Sequence, residues 1–534
     1  MRFAHVVALA TFVLGAARAN AQEHAHAPAE RLGTVHFQTS CNPAVAARFD
    51  RGVALLHSFE FGASIRAFND VLAADSSCAM AYWGIALSRW TNPMAPGTRT
   101  PAQLQPGRQA VDAALRVSGS ATPRERAYVT AVGELYKDYE HVDQGARVSA
   151  YARAMEALVA KEPADTEAKI FYAIALTAAA PPSDKTYANQ LRAGQILEPI
   201  WAKQPNHPGL AHYIIHAYDV PALAPKAAAA AERYAAIAPS AAHALHMPSH
   251  TFTRLGEWSK SIETNTRSTE VAMRDSAFGE ALHASDYAVY AHLQLAQDSA
   301  AKALLNRLPA LAARFDPRAI AGAAPPSAGV FAIAAIPARY ALERRDWPAA
   351  AALVPTASAF PWTEAMVYFA RSLGASHTGD TATARRAIDT LAAIRDRLGS
   401  REPYWGEQVA IQQLGARAWL ALAQHHTDSA LALMRDAARH EDATEKSAVT
   451  PGPLAPAREL LGDMLMELHR PREALAEYRA TLGKEPNRFR ALYGAMRAAS
   501  LAGDSAAATR YRSDLRTLCA KADVPGRAEL ADIR

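Results

Sequence analysis

Apolar residues recur three and four positions apart along almost the whole chain, the spacing that gathers them on one face of a helix. The strict apolar–polar alternation of a half-buried strand is almost absent, so the pattern predicts an all-α protein. Stretches containing proline and glycine, such as 92–97 and 323–327, punctuate the pattern as loops between helices or insertions. Short periodic segments following one another closely make internal repetition the next question. The clearest unit covers 455–486. Leu461 and Gly462 fall on its first helix, Glu473, Ala474, Leu475 and Tyr478 on its second, and Pro486 closes it.

Weaker units are marked by Gly52, Phe68 and Asp75, by Leu255-Gly256-Glu257-Trp258 with Ile262, and by Ala508 and Tyr511. Small residues where helices cross, an aromatic at the hairpin contact and a proline at the exit resemble the tetratricopeptide repeat. The expectation is a tetratricopeptide-type solenoid of eight to ten helical hairpins, several of them degenerate. N-terminal repeats over 36–310 would carry a histidine-rich groove, and C-terminal repeats would follow over 311–534. The chain also resembles a family of large secreted bacterial tetratricopeptide repeat proteins. The matching stretches are Leu55-Leu56-His57-Ser58-Phe59, Cys78-Ala79-Met80-Ala81-Tyr82-Trp83-Gly84, His212-Tyr213-Ile214-Ile215-His216-Ala217, His246-Met247-Pro248-Ser249-His250, and Pro451-Gly452-Pro453 with Glu459-Leu460-Leu461-Gly462-Asp463. The resemblance implies fold and export and names no reaction.

Export is also written at the N-terminus. Met1-Arg2 gives a positive start, residues 6–15 form an apolar run too short to span a bilayer, and Ala19-Asn20-Ala21 offers a cleavage site. A signal peptide is therefore expected over 1–21, a disordered leader over 22–35, and a periplasmic or extracellular location. No later run is apolar enough for a transmembrane segment. Removing Arg2 and Arg18 lowers the formal charge from +5 to +3 (5 − 2), and Lys and Arg are not clustered, so no nucleic-acid partner is expected. Of three cysteines, Cys41 and Cys78 are expected to pair in an oxidising compartment, while Cys519 has no evident partner.

The candidate chemistry lies in histidine placement. His212 and His216 are four apart, as are His246 and His250, which puts each pair on one helix face. The pairs are related by a shift of 34 (246 − 212 and 250 − 216), the length of one tetratricopeptide repeat. On consecutive first helices they face the concave groove, where four rings would converge on one ion at ~2.0–2.1 Å. Alignment of the next hairpin brings His283, Asp286 and Tyr290 to the same face. His243 and His283 take equivalent helix starts, Asp219 follows His216 by three, and His57 with Glu60 lies on the inner side of the first repeat. His57, His212, His216, His243, His246, His250 and His283 are thus the candidate metal ligands. Asp219, Asp286, Glu60 and Tyr290 are the residues expected to hold them. Pro248, inside the second pair, is expected to kink its helix. His207, His292, His377 and His469 read as packing residues.

All-imidazole ligation suits copper, zinc or iron, and an exported setting favours copper slightly over zinc. The function expected is an exported metal-binding protein, with metal-dependent catalysis as a candidate activity. Its groove would take a small molecule or an extended peptide. The alternative is a non-catalytic peptide-binding scaffold of the cell envelope, a role for which Arg458, Arg488 and Arg490 in the C-terminal repeats are suited.

Overall fold

The computed structural model describes residues 30–533 apart from Pro96, Pro182 and Ala321, so the expected signal peptide and most of the expected leader lie outside the described residues. Helix starts follow from local chemistry. Thr100 with Gln103 and Thr122 with Glu125 form reciprocal capping boxes, each followed by proline at the first helical position. Asp143, Asp165, Asp380 and Asp504 cap other helices through their side chains. Twenty-five α-helices result, and no strand occurs among the described residues.

The chain is a tetratricopeptide-type solenoid of helical hairpins. Counting Ala242–His246 and Pro248–Leu255 as one interrupted helix leaves twenty-four (25 − 1), which pair in chain order into twelve hairpins. Twelve exceeds the eight to ten expected, because several central hairpins lack the glycine and aromatic marks by which the others were counted. Where those marks are present they work as the sequence suggests. A Cβ added at Gly462 or Gly494 would stand 2.8 or 2.3 Å from the Tyr478 ring, so Tyr478 wedges between two successive first helices that only glycine lets approach. Phe68 does the same between Gly52 and Gly84.

The packed chain begins before the leader was expected to end. Leu32, Val35 and Phe37 bury in the first core, and the Thr34 N–H donates to the Asn206 carbonyl at 3.0 Å. Cys41 and Cys78 form the expected disulfide. The boundary expected at 310/311 falls inside the helix Asp298–Ala312. No described helix is long and apolar enough to cross a membrane.

The ends of the solenoid close over its middle. The first helix, Ala46–His57, packs on the helix Pro208–Ala217. From the other end, Trp258 Nε1 donates to the Asn487 carbonyl at 2.8 Å, the Phe489 N–H to Gln294 Oε1 at 3.0 Å, and Arg527 pairs with Asp298 at 2.6 Å. Between the helices Thr427–Ala443 and Ala457–Glu467, the loop 444–456 lies across the central first helices, where Tyr287 Oη donates to the Thr450 carbonyl at 3.1 Å. The groove that carries the histidines is therefore covered.

Candidate metal centre

Three successive first helices build the site: Pro208–Ala217, the interrupted pair Ala242–His246 and Pro248–Leu255, and Phe278–Gln294. Pro248 cannot donate a backbone hydrogen bond, which accounts for the interruption. Met247 nevertheless keeps helical dihedrals (φ −53°, ψ −36°), so the chain does not change direction. His246 and His250 stay together, their ring centroids 5.0 Å apart and their Nε2 atoms 3.1 Å apart.

The four paired histidines do not converge on one point. They divide into two sets of three, His212/His216/His243 and His246/His250/His283, and in each set one ligand atom per ring lies within 4.8 Å of the other two. The reason is the spacing of first helices, ~8–10 Å, too wide for two pairs to share one ion. Each pair is instead completed by the histidine at or near the start of the next first helix: His243 for the first pair, His283 for the second. The two sets are thus related by one repeat, and they adjoin: His216 and His250 are 6.2 Å apart by ring centroid, His243 and His246 5.9 Å.

All six rings are nearly inaccessible, at 0–6% exposure. Burial pushes the pKa of His212, His216, His246 and His283 well below the ordinary histidine value, with the neighbouring rings adding in the same direction, and lowers that of His250 against the pull of Asp219. These rings are therefore neutral, and four of the six have an acceptor at Nδ1. His212 Nδ1 meets the His57 carbonyl at 2.6 Å, His243 the Glu280 carboxylate at 3.0 Å, His246 Asn265 Oδ1 at 2.7 Å, and His250 the Asp219 carboxylate at 2.9 Å. For His212, His246 and His250 the acceptor draws the single ring proton to Nδ1 and leaves a lone pair on Nε2. Nε2 of His212, His216 and His243 has no protein partner, nor has Nδ1 of His283. Converging lone pairs, with ring orientation set from behind by carboxylates and a carbonyl, are the arrangement in which histidines hold metal ions.

The remaining expected residues separate into those that meet the rings and those that do not. Asp219 does, and it also binds Arg254 at 3.0 Å and Lys446 at 3.4 Å. Glu60 accepts the His243 backbone N–H at 3.3 Å. Burial and the Glu280 charge raise its pKa to about 8. His57 belongs to neither set. Its carbonyl aims His212, while its ring bonds Tyr213 at 3.1 Å and Glu167 at 2.9 Å. Glu167 also takes His207 at 2.9 Å, giving a separate buried His57/Glu167/His207 group. Asp286 turns away to Arg339 of the next first helix, Pro326–Glu343, 3.2 Å distant, and Tyr290 turns to Glu485 and Arg488 of the folded-back C-terminal repeats. Arg488 and Arg490 are themselves buried in ion pairs, and Arg458 is held by Asp442 and Glu477.

Sequence reasoning passed over Asn265, Glu280 and Phe59. Glu280 stands three residues before His283, one turn away on the same face. Asn265 belongs to a row of buried polar residues (Ser261, Asn265, Ser268) at helical spacing on Trp258–Arg274, a polar stripe where an apolar one was due. The Phe59 ring lies 4.4, 5.5 and 5.7 Å from those of His212, His216 and His243.

No protein-family model and no curated protein matches the chain. Among solved structures, it is similar to a human IFIT1 dimer with m7Gppp-AAAA (TM-score 0.39, 10% identity, covering 83% of this chain and 90% of that one). It is also similar to an APC/C hetero-tetramer, Cut9-Hcn1 (TM-score 0.32, 11% identity, covering 91% and 95%). The likeness is one of coarse outline, and the fold assignment rests on the helix pairing described above.

Proposed function

We propose that this chain is an exported metal protein whose two tri-histidine sets hold a pair of transition ions, copper in preference to zinc. The observation that carries the reading is the approach of His246 Nε2 to His250 Nε2 at 3.1 Å while both rings present acceptors at Nδ1. Two ring nitrogens at that distance share either a proton or a cation bound by both lone pairs, and the acceptors at both Nδ1 atoms favour the cation. Two nitrogens bound to one ion at ~2.0–2.1 Å with tetrahedral angles stand ~3.3 Å apart. A purely imidazole donor set on each ion suits copper, and an exported chain meets copper and zinc more often than ferrous iron. The adjoining sets suit two ions sharing a bridging oxygen, as in two-metal sites with ions ~3.5–4 Å apart.

Metal analysis of the untagged chain should find two copper ions per molecule, and the His216→Ala/His250→Ala variant should lose both. Absence of any stoichiometric transition metal, or full retention by the variant, overturns the reading. Two zinc ions would overturn the copper assignment alone.

A second reading, a non-catalytic binding scaffold, draws on a cleft in the C-terminal repeats. There Trp362 and Trp405 stack at 3.9 Å beside Tyr404, Gln408 and Lys484. It predicts that a peptide or small ligand binds equally well to the wild type and to the His216→Ala/His250→Ala variant.

A further inference from the structure

Beside the His212/His216/His243 set lies a cavity of about 40 Å³, where ~10–15 Å³ is enough for one water. Leu56, Leu87, Leu135, Phe171 and Ile174 are among its walls, and the lining offers almost no polar atoms. Thr91, Pro93 and Ala178 form its half-buried outer end. Phe59 and Tyr213 form the inner end, and their rings are the ones packed on the metal-site histidines, Phe59 at 4.4 Å and Tyr213 at 5.3 Å from His212.

Such a cavity stays dry, since a water inside would find no hydrogen-bond partners. An ion or a polar substrate would lose its hydration on entry without compensation. A small uncharged molecule loses nothing, and dioxygen dissolves better in apolar surroundings than in water. Phe59 stands at the turn residue of its hairpin, as Ser276, Ala296, Arg345, His425 and His469 do in later ones. Phe59 adopts a left-handed backbone (φ +56°), which costs a non-glycine residue ~1–2 kcal/mol. The next residue locks it there, because the Glu60 N–H donates to the Leu55 carbonyl at 2.9 Å. The Phe59 ring is the partition between the cavity and three imidazoles.

We infer that this cavity is the dioxygen site and entry path of the metal pair, with Phe59 as its inner gate. The inference rests on the copper reading above and names the substrate of that centre. In the step that reports arrival, two cuprous ions give up one electron each. Dioxygen takes both electrons with two protons from solvent, forming hydrogen peroxide.

Two measurements on the full chain test it. Crystals of the copper-loaded protein under xenon pressure should show xenon between Phe59, Leu87 and Ile174. In the Ala178→Phe variant, which fills the outer end, that xenon should vanish. The rate constant for oxidation of the cuprous protein by dioxygen should fall about tenfold, with copper content unchanged. Ala175→Leu, deeper in the cavity, should act in the same direction and serves if Ala178→Phe folds poorly. Two coppers with no xenon, or an unchanged oxidation rate in a variant that excludes xenon, overturns the dioxygen assignment alone. Xenon without copper overturns the metal reading and the dioxygen assignment with it.

Discussion

Asn265 makes no contact with any ion in this scheme, yet the state of His246 depends on it. Its Oδ1 accepts a hydrogen bond from the His246 Nδ1–H, while its Nδ2 is fixed by donating to the Ser261 carbonyl at 2.6 Å. An Asn265→Leu variant should therefore bind metal 10–100-fold more weakly, as measured by competitive titration, while folding normally. His377 shows the other fate of a buried histidine. It stacks on Trp347 at 3.9 Å and Trp419 at 4.3 Å, and burial lowers its pKa to about 4, with Asp463 opposing and Arg345 assisting. The unfolded chain takes up a proton near 6.5 and the folded ring does not until about 4. Its contribution to stability is thus complete above about pH 6.5 and lost as pH falls through that window, at about 1.4 kcal/mol per pH unit. Denaturant titrations from pH 7 to 4.5 should show that slope reduced by this amount in His377→Phe. At this scale the grouping of the histidine rings was largely legible, because a spacing of four and a shift of 34 are both properties of the chain itself. Asn265 was not, since nothing along the chain says which second-helix residue will face which ring, and the diversion of Asp286 to Arg339 was set by a partner 53 residues away.

The repeat supplied a ruler, and the helices show why it measured one step short. Equivalent residues of consecutive first helices are a helix diameter apart, so equivalence distributes the paired rings over two sets instead of gathering them in one. Pro248 breaks a hydrogen bond without bending the path, because Met247 can remain helical on its own account. Gly256 matters at the end of the same segment. It adopts φ +69°, and a Cβ there would stand 2.3 Å from the Pro486 carbonyl oxygen. Gly256→Ala should cost ~1–2 kcal/mol for the left-handed backbone and ~1–3 kcal/mol for the wedge driven against the C-terminal repeats. Thermal unfolding should register the loss; an unchanged midpoint would mean that the contact is not maintained in solution. The glycine was legible as a turn between two helices. That the same turn docks against a hairpin some 230 residues later was not, because long-range closure leaves no periodic trace.

Closure of the solenoid depends on a few buried charges. Arg488 binds Glu343 at 2.6 Å, Glu459 at 2.7 Å and the Tyr290 hydroxyl at 3.0 Å, tying the last repeats to the central ones. Arg488→Met should destabilise the chain by about 3–5 kcal/mol in denaturant titration, since it leaves two carboxylates buried without their cation. The loop 444–456 shares this role, holding Lys446 against Asp219 and its carbonyls against Tyr287. The six rings are consequently almost closed off from water, and the cavity behind Phe59 is apolar. A hydrated cation cannot use that path. An ion held by these rings would load during folding or through a rare opening of the fold, so that metal content would record the medium in which each molecule was assembled. Once inside, an ion leaves no faster than the repeats part, and a strong chelator added from outside should strip it over hours rather than seconds, at the pace of local unfolding.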